Sequence, residues 1–402
     1  MAARYRIACV AIVLIPIVVT VLAQGRGRVT RTAPALPARV DPIDFEIKPW
    51  DGAIPERARV AAALRPLEPF FEYRRVYDLM HALQLWGAHA EFTAPAAFPI
   101  PDGLRPMSSR DVIGFLLDDA PFRKYNRDRS LLVETDHGVS VAVGVNPAES
   151  AHVDKHLKVF SEIGLPLDTP VSVGGTRHTL ADLLSESLAR YTPLQEIEFS
   201  AVGFARYLPP RTSWVNRFGE TFTFDDLAEE LLSRPPGVGS CYGLHFPYAM
   251  TTLLRVDQVT PILAPATRSQ LSKRLRKITD RLERVQLPSG AWDRRCWAEP
   301  IEIRLEESAR LEQIRVTSHQ LEWMAFAPEG LRVGPKTARK ALGFLCNELD
   351  RLEAGVLSLS HEFPVLSHAG RALTLASGYT NAGDFQNHSR DIASGGAVPA
   401  GR

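Results

Sequence analysis

The stretch Gln286-Leu-Pro-Ser-Gly290-Ala-Trp292 is a turn that separates two segments of helical period, each with a histidine near its predicted start. The first segment begins Ser240-Cys241-Tyr-Gly-Leu-His245, and the second contains Thr317-Ser-His319-Gln-Leu-Glu-Trp323. Apolar residues recur in both at the spacing of an amphipathic helix. This order predicts a toroid of paired helices whose polar groups point into a central cavity.

The helical period extends over most of the chain. Apolar stripes follow residues 76–86, 153–163 and 341–349. Eight further helices are predicted at 109–117, 180–190, 196–207, 224–233, 243–255, 266–286, 305–327 and 365–376. Strand signals are few and short. The fold class predicted is therefore all-α, an α/α toroid of paired antiparallel helices with a few short β-hairpins.

One hairpin-and-helix unit occurs twice. In each copy a turn glycine precedes a threonine, Thr179 or Thr223, and an aspartate, Asp182 or Asp226, follows three residues later. This spacing is typical of a capping box, in which the two side chains bond each other's backbone N–H groups. The copies lie about 44 residues apart, a period typical of stacked helical hairpins.

The composition of the two ends of the sequence predicts how the chain is divided into domains. Arg4 and Arg6 precede an apolar run over residues 7–23, which predicts a signal peptide or a transmembrane anchor and hence an exported protein bound to the membrane through this segment. Residues 24–46 are predicted to be a flexible tether, 47–377 the helical domain, and 378–402 a disordered tail.

Composition narrows the functional classes. The formal net charge is +1 with 47 basic and 46 acidic residues, and these are mixed along the chain. Nucleic-acid binding is therefore not expected, because it requires a clustered basic surface. Four cysteines, one of them inside the export segment, do not form a disulfide framework, so at least one thiol of the exported chain is free or binds a metal.

The strongest candidate metal ligands are Cys241, His245 and His319. Cys241 and His245 are four residues apart, and thiolate and imidazole are ligands that zinc prefers. Pro247 fits only the first turn of a helix, which places Cys241 in the preceding turn. The alternative is structural, with Cys241 a small buried hydrophobe and the histidines bonded to helix ends.

A wider ligand site is predicted around the same residues. Three helix-borne histidines and nearby aromatic side chains are the candidate ligand-binding residues: His81, Trp86, Tyr242, His245, His319 and Trp323. Such a cavity would bind a small-molecule or glycan ligand. Another histidine pair, His152 and His156, is expected on an exposed shoulder of its helix.

The segment from Lys277 to Trp292 resembles the glutamine-tryptophan repeat of triterpene cyclases, with Lys, Leu, Gln, Gly and Trp in the expected places. The residues around Cys241 and His319 are similar to the zinc-site neighbourhood of protein prenyltransferase beta subunits, although Gly239 stands where that family has aspartate. The resemblance covers about 90 residues. It implies an α/α toroid and a zinc site, and an enzyme of prenyltransferase or cyclase type. The acid motif of the cyclases is absent, so their activity does not carry over.

Two other functions are compatible with the sequence. Glu134 and Asp136, beside His137, could supply a general acid and base for a carbohydrate-active toroid enzyme. A non-catalytic envelope scaffold is the third alternative. Bound zinc would favour the ligand-binding, prenyltransferase-like toroid. Cleavage of a glycan would favour the carbohydrate-active enzyme, and a cavity filled by side chains would favour the scaffold.

Overall fold

Local capping signals fix the starts of two helices. The backbone N–H of Asp226 donates to Thr223 Oγ1 at 3.2 Å, and the Asp226 carboxylate accepts from the Thr223 N–H at 2.7 Å. Thr179 and Asp182 form the same reciprocal pair. Each box directly follows a hairpin. Both capping boxes predicted from the sequence are thus confirmed, and each satisfies backbone donors that the first helical turn leaves free.

The computed structural model describes residues 39–68, 75–92, 108–297, 310–353 and 359–393. These residues contain fourteen α-helices. In chain order they are α1 (Arg57–Leu64), α2 (Val76–Trp86), α3 (Ser109–Leu117), α4 (Asp119–Tyr125), α5 (Lys155–Glu162), α6 (Leu180–Arg190), α7 (Ile197–Tyr207), α8 (Phe224–Ser233), α9 (His245–Val259), α10 (Pro265–Val285), α11 (Arg310–Phe326), α12 (Pro335–Glu353), α13 (Leu359–Ala376) and α14 (Ala382–Ala393).

Within the same ranges, six short strands form three separate antiparallel hairpins. They are β1 (Leu132–Thr135) with β2 (Gly138–Val141), β3 (Pro170–Val173) with β4 (Thr176–Thr179), and β5 (Ser213–Val215) with β6 (Thr221–Thr223). The prediction of a mainly helical body with a few short hairpins is confirmed. Three helices were not predicted, namely α1, α4 and α14, because α1 and α4 are only 8 and 7 residues long and offer little periodicity.

Six helices follow one another in contact through the centre of the fold. The series runs α2, α5, α7, α9, α11 and α13, and α13 contacts α2 in turn. Other helices pack on this series, α10 against α9 and α12 against both α11 and α13. The closed order brings side chains from the first and last members of the series together.

The turn over residues 286–292, which contains Gln286, Gly290 and Trp292, holds α10, α11 and α12 together. Gln286 Nε2 donates to the carbonyls of Gly290 and Thr337, both at 2.9 Å. The buried Trp292 donates its Nε1–H to Leu282 O and its backbone N–H to Thr317 Oγ1, each at 2.9 Å. Thr317 accepts this bond from within α11, so His319 lies mid-helix and not near the start of its helical segment, as the sequence suggested.

The expected disordered tail is wrong for residues 382–393, which form α14. The Asn381 side chain caps this helix by accepting from the Asp384 N–H at 2.9 Å. Phe385 is buried, and the Arg57 guanidinium lies 4.9 Å from its ring centroid. One large apolar side chain and one cap therefore order a segment whose composition suggested disorder. Residues 394–402 lie outside the described residues.

Of the N-terminal segment for which an anchor and a tether were predicted, the structure describes only residues from 39 onward. The predicted tether ends too late, because Ile43 is buried and its N–H donates to Arg206 O at 2.7 Å. The transmembrane-helix prediction is corrected, since none of the helices within the described ranges is long and apolar enough to cross a membrane. The segment 7–23 itself lies outside the described residues, and export stays a prediction.

Candidate functional site

Four histidines from four helices of the closed series meet in the interior. They are His81 of α2, His245 of α9, His319 of α11 and His368 of α13, and all are buried. The ring centroids of His319 and His368 lie 4.0 Å apart, those of His245 and His319 4.8 Å, and those of His81 and His368 4.9 Å. Residues that are up to about 290 positions apart in sequence thus form one continuous cluster, named here the histidine cluster.

Cys241 reaches the histidine cluster from a turn. Cys241 and Tyr242 have φ angles of 48° and 61°, in the left-handed region, and Pro247 occupies the first turn of α9. The predicted position of Cys241 before the helix is therefore what the structure shows. Ligand atoms of Cys241, His245 and His319 all lie within 4.8 Å of one another. The structure thus brings together the three residues that the sequence nominated as metal ligands.

His319 has a free, buried ring nitrogen. Its Nδ1 lies 2.8 Å from Arg315 O, so Nδ1 carries the proton and donates it, and the lone pair is on Nε2. That Nε2 is buried and has no hydrogen-bond partner among the residues that the structure describes. Burial lowers the pKa of His319 to about 4, so the ring is neutral at pH 7. A neutral imidazole whose Nδ1–H is anchored to a carbonyl is the usual state of a metal ligand.

His368 is oriented by a carboxylate. Its Nδ1 lies 2.9 Å from Glu322 Oε1, and Glu322 is also buried. Burial, and then the neighbouring His319, lower the pKa of His368, while burial raises that of Glu322. His319, Glu322 and His368 form a second group whose ligand atoms lie within 4.8 Å. Since His319 belongs to both groups, they share one location.

A layer of buried charges lies beside the histidine cluster. Glu162 Oε2 of α5 is 3.0 Å from Lys158 Nζ and 3.3 Å from Arg371 Nη2. Arg371 also donates to Tyr248 Oη at 2.9 Å, and its Nη1 lies 3.6 Å from Glu322. Burial alone would favour the neutral acid, but Arg371 and Lys158 lower the pKa of Glu162 to about 2. Two cations therefore share two carboxylates in the interior.

These charged residues and His368 were missed from the sequence. Lys155, Lys158 and Glu162 occur at positions i, i+3 and i+7 of α5, so they share one face of the helix. His368 and Arg371 are likewise three apart in α13. Polar residues at helical spacing on an otherwise apolar segment were the available signal.

Histidines expected at the surface are not there. His156 is buried, and His152 is largely buried, where its Nδ1 lies 3.1 Å from Glu196 Oε1. Ser240, next to Cys241, donates to Glu196 and lies 3.3 Å from His152 Nδ1. The exposed-shoulder expectation is wrong because α5 packs against α2 and α7, and the His152 ring stacks on Phe199 of α7.

The aromatic candidates lie in other surroundings. Trp86 is buried and packs on Phe92 at 6.3 Å between ring centroids. Trp323 is fully buried and donates Nε1–H to Gln320 at 2.7 Å. Both tryptophans are core side chains by these contacts, and their role in lining a ligand cavity stays a prediction. Tyr242 is partly exposed beneath the Arg294 guanidinium, 5.0 Å from its ring centroid.

Glu134 and Asp136 do not form an enclosed acid/base pair. Both are exposed on the β1–β2 hairpin. Glu134 accepts from His178 Nε2 at 2.8 Å, and this bond lowers the pKa of Glu134. A general acid at neutral pH needs a raised pKa. The lowered pKa of Glu134 therefore does not suit it to that role.

Comparison of the chain with protein-family models, curated proteins and solved structures finds no match. The geometry of the histidine cluster is therefore the basis on which a function can be proposed.

Proposed function

We propose that the protein is a zinc-binding α/α toroid, with zinc held by Cys241, His245 and His319 at its centre. The closed contact series from α2 to α13 supports an inner ring of six helices, and α1, α3, α6, α8, α10, α12 and α14 would supply an outer layer. In such a ring the histidine cluster occupies the axis. The proposal agrees with the arrangement implied by the resemblance to terpenoid cyclases and prenyltransferases.

The observation that carries the metal site is the buried, unpartnered Nε2 of His319. Leaving a buried polar atom without a partner costs about 1–3 kcal/mol, and a metal bond would remove that cost. The ligand atoms of Cys241 and His245 lie within 4.8 Å, a separation that small side-chain rotations close around one ion. This supports a site organised for coordination.

The donor set favours zinc over other common cations. Thiolate and imidazole are soft or borderline donors, whereas Mg²⁺ and Ca²⁺ prefer oxygen. Burial raises the pKa of the Cys241 thiol, so zinc binding would release its proton. Three protein ligands leave a fourth position for water or a ligand, which is the pattern of catalytic zinc sites. When bound there, zinc would act as a Lewis acid toward that fourth group.

Zinc analysis of the purified protein tests the proposal. We expect one zinc per chain by inductively coupled plasma mass spectrometry. His319→Ala should lose most of it while the far-ultraviolet circular dichroism stays helical. The matched control is His178→Ala, which removes a histidine of the β3–β4 hairpin and should leave zinc unchanged.

Two outcomes would contradict the zinc site. One is a wild-type chain that stays far below one equivalent even after zinc is added. The other is unchanged zinc in a folded His319→Ala variant. Either result would favour a scaffold whose interior is filled by its own side chains.

A further inference from the structure

We propose that Lys155 is a nucleophilic amine that forms an imine with a small aldehyde or ketone. The proposal goes beyond zinc binding and does not depend on it. It rests on the surroundings of Lys155 at the first residue of α5, where it faces the histidine cluster from the side of His81.

Lys155 is buried without a carboxylate. Its side chain lies in the interior, and its residue is 4% exposed. Across the described ranges of the chain, no Asp or Glu oxygen lies within ion-pair distance of its Nζ, whereas Lys158, one turn later, lies 3.0 Å from Glu162. A buried ammonium without a paired anion is strongly disfavoured. The two lysines therefore differ in charge compensation although both are buried on one helix.

His81 holds the amine in a defined orientation. His81 Nδ1 donates to Tyr77 O at 2.6 Å, so its Nε2 carries the lone pair. Lys155 Nζ lies 3.0 Å from that Nε2 and donates to it. The nitrogen lone pair of a neutral Lys155 then points away from His81. This is the arrangement that attack on a carbonyl carbon requires.

The groups around Lys155 include some that lower its pKa and others that raise it. Burial, and then the charge of Lys158, lower its pKa to about 7, although Cys241, Glu162 and Glu322 act to raise it. The Tyr77 ring, 4.3 Å from Nζ, also favours the ammonium. At pH 7 about half of such a group is neutral, compared with about one in 2,500 for an ordinary lysine.

The reaction balances without any oxidant. The amine nitrogen bonds to the carbonyl carbon, giving a carbinolamine. The carbonyl oxygen then leaves as water with the two protons that the amine loses, giving the imine. His81 Nε2, already bonded to the amine, can accept the first of these protons and return it to the leaving hydroxyl.

Reductive trapping on the intact wild-type protein tests the proposal. Formaldehyde is the probe, because it is small enough to enter a buried site, and cyanoborohydride delivers hydride to the protonated imine to leave an N-methyl lysine. Brief treatment at pH 7, followed by peptide mass spectrometry, measures the initial rate at each lysine. We expect Lys155 to be modified at least about tenfold faster than the exposed Lys48, because its orientation by His81 and its larger neutral fraction outweigh the slower access of the reagent to a buried amine.

Lys158 is the internal control and should be modified far more slowly than Lys155, because Glu162 at 3.0 Å favours its ammonium, although burial lowers the pKa of Lys158 as well. A second protein, Tyr77→Ala, removes the ring that covers Nζ and should accelerate modification of Lys155 further. The proposal is overturned if Lys155 is slower than Lys48 in both proteins, or if Lys155 and Lys158 react equally. Zinc content has no part in this measurement, so its outcome is independent of the metal proposal.

Discussion

Glu162→Gln is expected to be among the most damaging conservative changes in the interior. It keeps the shape of the side chain and removes the charge that Lys158 and Arg371 share at 3.0 and 3.3 Å. Breaking a buried ion pair by removing one partner typically costs about 3–5 kcal/mol. The lowering of the Glu162 pKa from 4.5 to about 2 corresponds to about 3 kcal/mol. The typical cost of breaking a buried ion pair and the free energy that corresponds to the pKa shift therefore agree in order of magnitude.

The pH dependence has a defined sign. A carboxyl whose pKa is lower in the folded state stabilises the fold above its unfolded value, here near pH 4.5, and this contribution is lost as the pH falls toward 2. Urea unfolding followed by circular dichroism should therefore show a deficit of about 3 kcal/mol for Glu162→Gln at pH 7. The deficit should shrink on acidification below pH 4.5.

The control is Glu230→Gln, which removes a partly exposed partner of Arg234 and should change the free energy of unfolding by less than about 1 kcal/mol. If Glu162→Gln were as stable as this control at pH 7, the interior charges could not be coupled as described.

Three further changes test how the fold is held together. Gly290→Ala should lower the free energy of unfolding by about 1–3 kcal/mol, because φ is +92° and a Cβ would lie 2.4 Å from Lys340 O; an unchanged urea midpoint would contradict this. Thr223→Ala should cost about 1 kcal/mol through loss of the cap, measured in the same way, while the circular dichroism should stay helical. Phe385→Ala should release α14, seen as faster amide hydrogen exchange over residues 382–393; protection equal to wild type would show that this side chain does not dock the helix.

Structural features that depend on one short segment could be predicted from the sequence. The boundaries of α6 and α8 followed from a threonine and an aspartate three residues apart, and α2 from its apolar stripe. The convergence of Cys241, His245 and His319 followed from two His-bearing segments with one turn between them.

The remaining site residues depend on tertiary contacts that no local pattern contains. In the interior, Glu162 is paired both with Lys158 on its own helix and with Arg371, more than 200 positions later. The spacing of His368 and Arg371 indicates a polar face of α13, but it does not identify Glu322, on another helix, as the partner of His368. His319 was placed near the start of its apolar segment because residues 310–316 have weak apolar periodicity.

The ion pair between Glu162 of α5 and Arg371 of α13 has a consequence for synthesis of the chain. Lys158 and Glu162 leave the ribosome about 209 residues before Arg371, an interval of roughly 10–40 s at typical translation rates of about 5–20 residues per second. Throughout that time α5 exposes charges whose final partner does not yet exist. The nascent chain therefore cannot complete its interior helix by helix, and a ribosome that stops before α13 releases a product without a closed centre.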